Sequence, residues 1–176
     1  MGLPTDLDYG GLTIVCKQIK QGFNTAGYVN TVNTNVAAGS TLTLTAATHA
    51  GRTINLDTAA GSTVTLPAAT GSGDRYRFVV SVLATSNSHI VKVANSTDII
   101  WGAATLADTD GTSTIVTFIA NGTTHDTITL NRTTTGSVTL GENFTLVDYA
   151  SGKWLIEGHA VLSNTGTAAT PFSATV

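Results

Sequence analysis

Between Thr41 and Leu83, apolar and polar residues alternate in four short runs. Leu42 and Leu44 stand between Thr41, Thr43 and Thr45, and Ile54 and Leu56 between Thr53, Asn55 and Asp57. Val64 and Leu66 follow Thr63 and Thr65, and Tyr76, Phe78, Val80 and Val82 interleave with Arg75, Arg77, Val79 and Ser81. A period of two places every second side chain on one face of a pleated sheet, so each run predicts a strand with one apolar and one wet face. The runs are separated by His49-Ala50-Gly51, Ala59-Ala60-Gly61-Ser62 and Gly71-Ser72-Gly73-Asp74, which are turn compositions. The arrangement predicts an antiparallel meander.

The pattern continues downstream. Strands are expected at 89–93, 98–101, 126–130, 143–149 and 153–157, with a small loop at Gly102-Ala103-Ala104 and a hairpin turn at Ser151-Gly152. Residues 113–120, STIVTFIA, are apolar on both faces, which predicts a central strand. Many short strands at intervals of about ten residues, with no helical stretch, point to an all-β fold: an antiparallel sandwich or barrel.

The two ends read differently. Residues 1–40 are turn-rich, with one apolar cluster in LTIVCKQIK (12–20) that periodicity assigns neither to strand nor to helix. They read either as an N-terminal arm that wraps a partner or as an irregular first strand of the same domain. Residues 163–176 are small and polar around one large anchor, Phe172, which predicts an extended tail docking on a surface, its own or a neighbour's. The domain proper is then 41–162.

Composition narrows the function classes. Charged residues make up 11%, against roughly 25% in an average soluble domain. Threonine, asparagine, serine and glycine take their place. Eight Lys and Arg, scattered, give no electrostatic footprint for nucleic acid. No apolar run is long enough for a membrane-spanning helix. The opening MGLPTDLDYGG lacks the regions of a secretion signal, and Asp6 stands where a myristoylation motif needs Ser or Thr. Cys16, the single cysteine, cannot form an internal disulfide.

Candidate chemistry is sparse. His49, His89, His125 and His159 have no metal-ligand spacing and read as turn or hydrogen-bonded histidines. Asp108-Thr-Asp110-Gly111 begins like a calcium loop, but Ile119 occupies the twelfth position, where such a loop needs a glutamate. Four Asn-x-Ser/Thr triplets occur, at Asn95, Asn121, Asn131 and Asn143. Tyr28, Trp101, Tyr149 and Trp154 would suit a sugar platform if they converged, although Trp154 reads as core. With two Glu and nine Asp, no carboxylate pair suggests a glycan hydrolase. No cofactor is expected.

The segments GRTINLDTAAGSTVTLPAATGSGDRYRFVV, SNSHIVKVAN, GKWLIEG and SNTGTAATPFSATV together resemble head decoration, cement or minor structural proteins of tailed bacteriophages. The resemblance runs over roughly residues 40–176. It implies a jelly-roll-like β-sandwich, a homotrimer, and a non-enzymatic role on the capsid exterior with the major capsid protein as partner, after synthesis in the host cytoplasm. Leu12, Ile14, Val15 and Ile19 of the arm, with Phe172, are then the expected partner contacts. The competing expectation is a fibre or tail component binding host glycan.

Overall fold

The computed structural model describes residues 35–111 and 114–176 with their side chains. Before residue 35 it describes the backbone of four short strands. The chain forms two compact units, Met1–Thr34 and Asn35–Val176.

In the first unit, β1 (Asp6–Tyr9) pairs antiparallel with β2 (Leu12–Val15), and β3 (Phe23–Asn24) with β4 (Gly27–Tyr28). Leu12, Ile14 and Val15 therefore lie on a strand, with their side chains outside the described set, and Ile19 lies outside the described residues.

The second unit holds β5 (Val36–Ala37), β6 (Thr41–Thr43), β7 (Thr53–Leu56), β8 (Thr63–Thr65), β9 (Arg75–Val80) and β10 (His89–Lys92). It continues with β11 (Ile99–Asp108), β12 (Ile115–Ile119), β13 (Thr127–Leu130), β14 (Asn143–Ala150), β15 (Lys153–Asn164) and β16 (Phe172–Ser173). A single helical turn, Ala46–His49, follows β6. The strands form an all-β sandwich of two sheets. One has seven strands in the order β12-β11-β15-β14-β9-β7-β5, the other five in the order β16-β13-β10-β8-β6.

Both sheets are mixed, which corrects the antiparallel expectation. Successive strands from β5 to β10 alternate between the sheets, and from β7 on each pairs in parallel with the strand two positions earlier. Val36 faces Ile54 and Ile54 faces Phe78 in the large sheet; Leu42 faces Val64 and Val64 faces Val91 in the small one. The chain thus winds around the core. Alternation within a strand fixes which side chains turn inward, but not which strand lies alongside. The connections do carry that information. Segments such as 44–52 and 66–74 are too long for tight hairpins and long enough to cross the ~10 Å between packed sheets.

The inward residues are those the alternation selects. Ile54, Leu56, Val64, Leu66, Phe78 and Val80 are all at most 1% exposed. Aromatic rings occupy the middle of the core. Phe78 stacks on Phe144 with centroids 5.0 Å apart, and Tyr76 meets Trp154 edge-on at 5.7 Å.

Three further expectations change. Gly102-Ala103-Ala104 is not a loop but the middle of β11, where the ladder to β15 shifts register between Trp101 and Ala103. Residues 115–119 form an edge strand of the large sheet, not a central one. The domain begins at Asn35 because Val36–Ala37 pairs with β7, and it includes the C-terminal segment. There β15 runs to Asn164 and β16 pairs with β13 through Ile128 and Phe172. Phe172 is 3% exposed and stacks on His125 at 5.8 Å, so its docking surface is its own domain, not a partner.

Candidate functional site

Titratable groups come first, because catalysis or metal binding would need them gathered and free. Asp148, on β14, is buried and accepts hydrogen bonds from the backbone N–H groups of Thr70 (3.0 Å), Gly71 (2.7 Å) and Ser72 (3.1 Å) and from both loop hydroxyls. Burial alone would raise its pKa. The bonds from Gly71, Thr70 and Ser72 outweigh that and hold the carboxyl below the ordinary value. Glu142, in the loop before β14, takes N–H bonds from Ser137, Val138 and Thr139 at 2.6–2.9 Å and a bond from the Ser163 hydroxyl. Asp126 accepts from the N–H groups of Thr175 and Val176, and Asp98 from that of Ala69. Each of these four buried carboxylates fastens a loop or the C-terminus.

The histidines are dispersed and similarly engaged. His89 is fully buried between the sheets. Its Nδ1 accepts from the Ser62 N–H at 3.0 Å and its Nε2 donates to the Val82 carbonyl at 2.8 Å, which fixes a neutral tautomer. Burial depresses its pKa, partly offset by the bond to Val82 and by Asp57 and Glu142. His49 closes the helical turn through the Thr45 N–H, and His125 accepts from the Asn121 N–H. Burial, with Asp74 and Asp148 adding to it, pushes the Tyr76 hydroxyl up to about 12. Among the described residues no group of three or more His, Cys, Asp or Glu is placed to hold a metal ion. Asp108 accepts from the Asp110 N–H at 3.0 Å, as a local turn.

Three of the four Asn-x-Ser/Thr triplets are turn devices. The side-chain oxygens of Asn95, Asn121 and Asn131 each accept backbone N–H bonds from residues two and three positions on, at 2.8–3.0 Å. The Nδ2 groups of Asn121 and Asn131 then each donate to a threonine hydroxyl at 2.7 Å. That is the Asx-turn chemistry of the spacing itself.

What remains is a surface. The outer face of the large sheet, where β12, β11 and β15 lie side by side, carries a cleft of about 600 Å³. Trp101, Ile119, Leu155 and His159 line it, with Asn121 and Gly122 at one side. The bulge in β11 shapes it. Gly102 has φ +118°, and a Cβ there would lie 2.8 Å from the Ile156 Cβ, so only glycine lets the strands approach. Lys153 places its Nζ 4.5 Å from the Trp101 ring centroid, covering one face of the indole. Around the cleft large apolar side chains face solvent: Ile119 is 75% exposed, Ile115 70% and Val161 58%. Tyr149 is also exposed, whereas Trp154 is core and does not join Trp101 and Tyr149 at the surface; the Tyr28 side chain lies outside the described set. Sequence reading missed this surface because a strand apolar on both faces looks central. Here Phe118 turns inward against the core while Ile115 and Ile119 turn outward uncovered.

Compared with known proteins, the chain matches no protein-family model and no curated protein.

Proposed function

We propose that the chain is a non-enzymatic structural protein of a bacteriophage virion, which decorates and stabilises the capsid by binding its subunits. The observation that carries the reading is the uncovered apolar surface beside the cleft, Ile115, Ile119 and Val161, on a domain whose loops are fastened by buried carboxylates. Three large apolar side chains exposed on one face of one sheet, with Thr105 and Thr117 between them, suit a protein contact. A rigid body suits a clamp, because little conformational freedom is lost on binding. Low charge makes such cohesion less sensitive to salt than contacts built on ion pairs. The resemblance of residues 40–176 to head decoration proteins supplies the class of partner, the major capsid protein on the shell exterior.

The test is cosedimentation of the purified chain with heads from the phage that encodes it, after deletion of its gene. Saturable binding that is weakened at least tenfold by Val161→Asp supports the reading, and absence of binding by the wild-type chain removes it. A second reading, host-glycan binding by a fibre or tail component, is favoured by the Trp101 indole in a cleft rimmed by Asn121 and His159. Retention of the wild-type chain on a glycan array, lost in Trp101→Ala, would support that reading instead.

A further inference from the structure

Among the described residues β12 ends the large sheet with its outer edge unpaired, and its pattern fits pairing with a second copy of itself. The ladder between β11 and β12 sets Ala103 opposite Ile119 and Ala107 opposite Ile115. Its ends are hydrogen bonds from the Ala120 N–H to the Gly102 carbonyl (2.9 Å) and from the Asp108 N–H to the Thr114 carbonyl (3.1 Å). Main-chain groups alternate in direction along an antiparallel strand. Residues 114, 116, 118 and 120 therefore turn theirs toward β11, and Ile115, Thr117 and Ile119 turn theirs to the open edge.

Natural edge strands are normally guarded by a lysine, a proline, a bulge or great shortness. Ile115-Val-Thr-Phe-Ile119 has no charge, proline or glycine, and its ladder to β11 has no register shift. The segment is also symmetric in pattern about Thr117. An antiparallel two-fold pairing centred there puts Ile115 opposite Ile119 of the second copy, and Thr117 opposite its own counterpart. All three pairs then fall on outward-turned main-chain groups, at two hydrogen bonds each. Opposed residues in such a pair point to the same face. The outer isoleucines, 70% and 75% exposed in one chain, thus cover each other across the seam. Phe118 and Val116 meet on the inner face.

We infer that β12 is a self-association edge, at which two copies join their seven-stranded sheets into one continuous sheet about a two-fold axis. An isologous contact of this kind closes on itself and leaves no open edge at the seam. The inference rests on the edge geometry and takes Ile115 and Ile119 into the seam, which leaves Val161 and the cleft as the surface for the capsid reading. It also departs from the threefold assembly implied by the resemblance, since it yields units of two chains.

The experiment is the native mass of the full chain by light scattering across a dilution series, for the wild type, Thr117→Pro and Ile119→Lys. The proline removes an N–H that β11 does not use. The lysine replaces a side chain that is mostly solvated, so it reports the seam even if proline disturbs the strand. Melting temperatures close to wild type confirm folding. The expected result is a two-chain mass for the wild type and a halved mass for at least the lysine variant. A one-chain wild type at every concentration, a three-chain mass, or a two-chain mass unmoved by both variants would overturn the inference.

Discussion

At the scale of single residues, the few buried charges of this chain are fasteners. Asp148 gathers three consecutive backbone N–H groups and two hydroxyls. Asp148→Ala removes the acceptor that these loop donors share, a loss of about 1–3 kcal/mol that a denaturant melt would register. Because its folded pKa lies below the ordinary 3.8, its contribution is complete above that pH and fades as pH falls through the folded value. His89 has the same sign in a different window. Its pKa is depressed from 6.5, so the unfolded chain binds the proton first. Stability therefore declines as pH drops below 6.5 toward the depressed value. The melting temperature of the wild type should fall over that range, and the slope should flatten in His89→Leu, which is less stable at neutral pH because the Ser62 N–H loses its acceptor. Gly102→Ala forces a side chain into a left-handed position against Ile156, for a cost of about 2–3 kcal/mol by the same melt. None of these roles was legible beforehand. An aspartate spaced 78 residues from its loop partner leaves no local signature.

At the scale of elements, strand existence was legible, and strand pairing was legible at the Ser151-Gly152 hairpin that joins β14 antiparallel to β15 but not in the winding from β5 to β10. Ile54, Val64 and Phe78 announce their strands through alternation, and the described strands overlap the expected ones. The parallel winding escaped notice because β6 and β7 read as hairpin partners, although the nine-residue connection 44–52 is long enough to cross to the other sheet. Residues 115–119 show the opposite failure: an apolar pattern on both faces predicts a central strand, whereas β12 is an edge strand whose Ile115 and Ile119 are exposed among the described residues. The C-terminal segment was legible as docking on a surface, but a light polar run gave no sign that Phe172 pairs with Ile128 in a ladder. Truncating that ring tests the point. Phe172→Ala should destabilise the domain by about 3–5 kcal/mol in a reversible denaturant melt. A residue reserved for a partner would leave the melt unchanged.

At the scale of the whole molecule, the domain from Asn35 to Val176 is a two-sheet body, and among the described residues Ile115, Ile119, Leu140, Tyr149 and Val161 are large apolar side chains left exposed. Buried carboxylates and Asx turns hold its loops, and Ile115, Ile119 and Val161 are the large apolar side chains exposed on the outer face of β12 and β15. On the proposed capsid reading, such a body would act by joining subunits that internal pressure pushes apart. Gene-deleted heads, heated in the presence and absence of the purified chain while DNA release is followed with an intercalating dye, provide the most direct measurement. Saturating chain should raise the release temperature by several degrees, and Val161→Asp should abolish most of that gain. An unchanged release temperature at saturating wild-type chain would contradict a stabilising role on the shell.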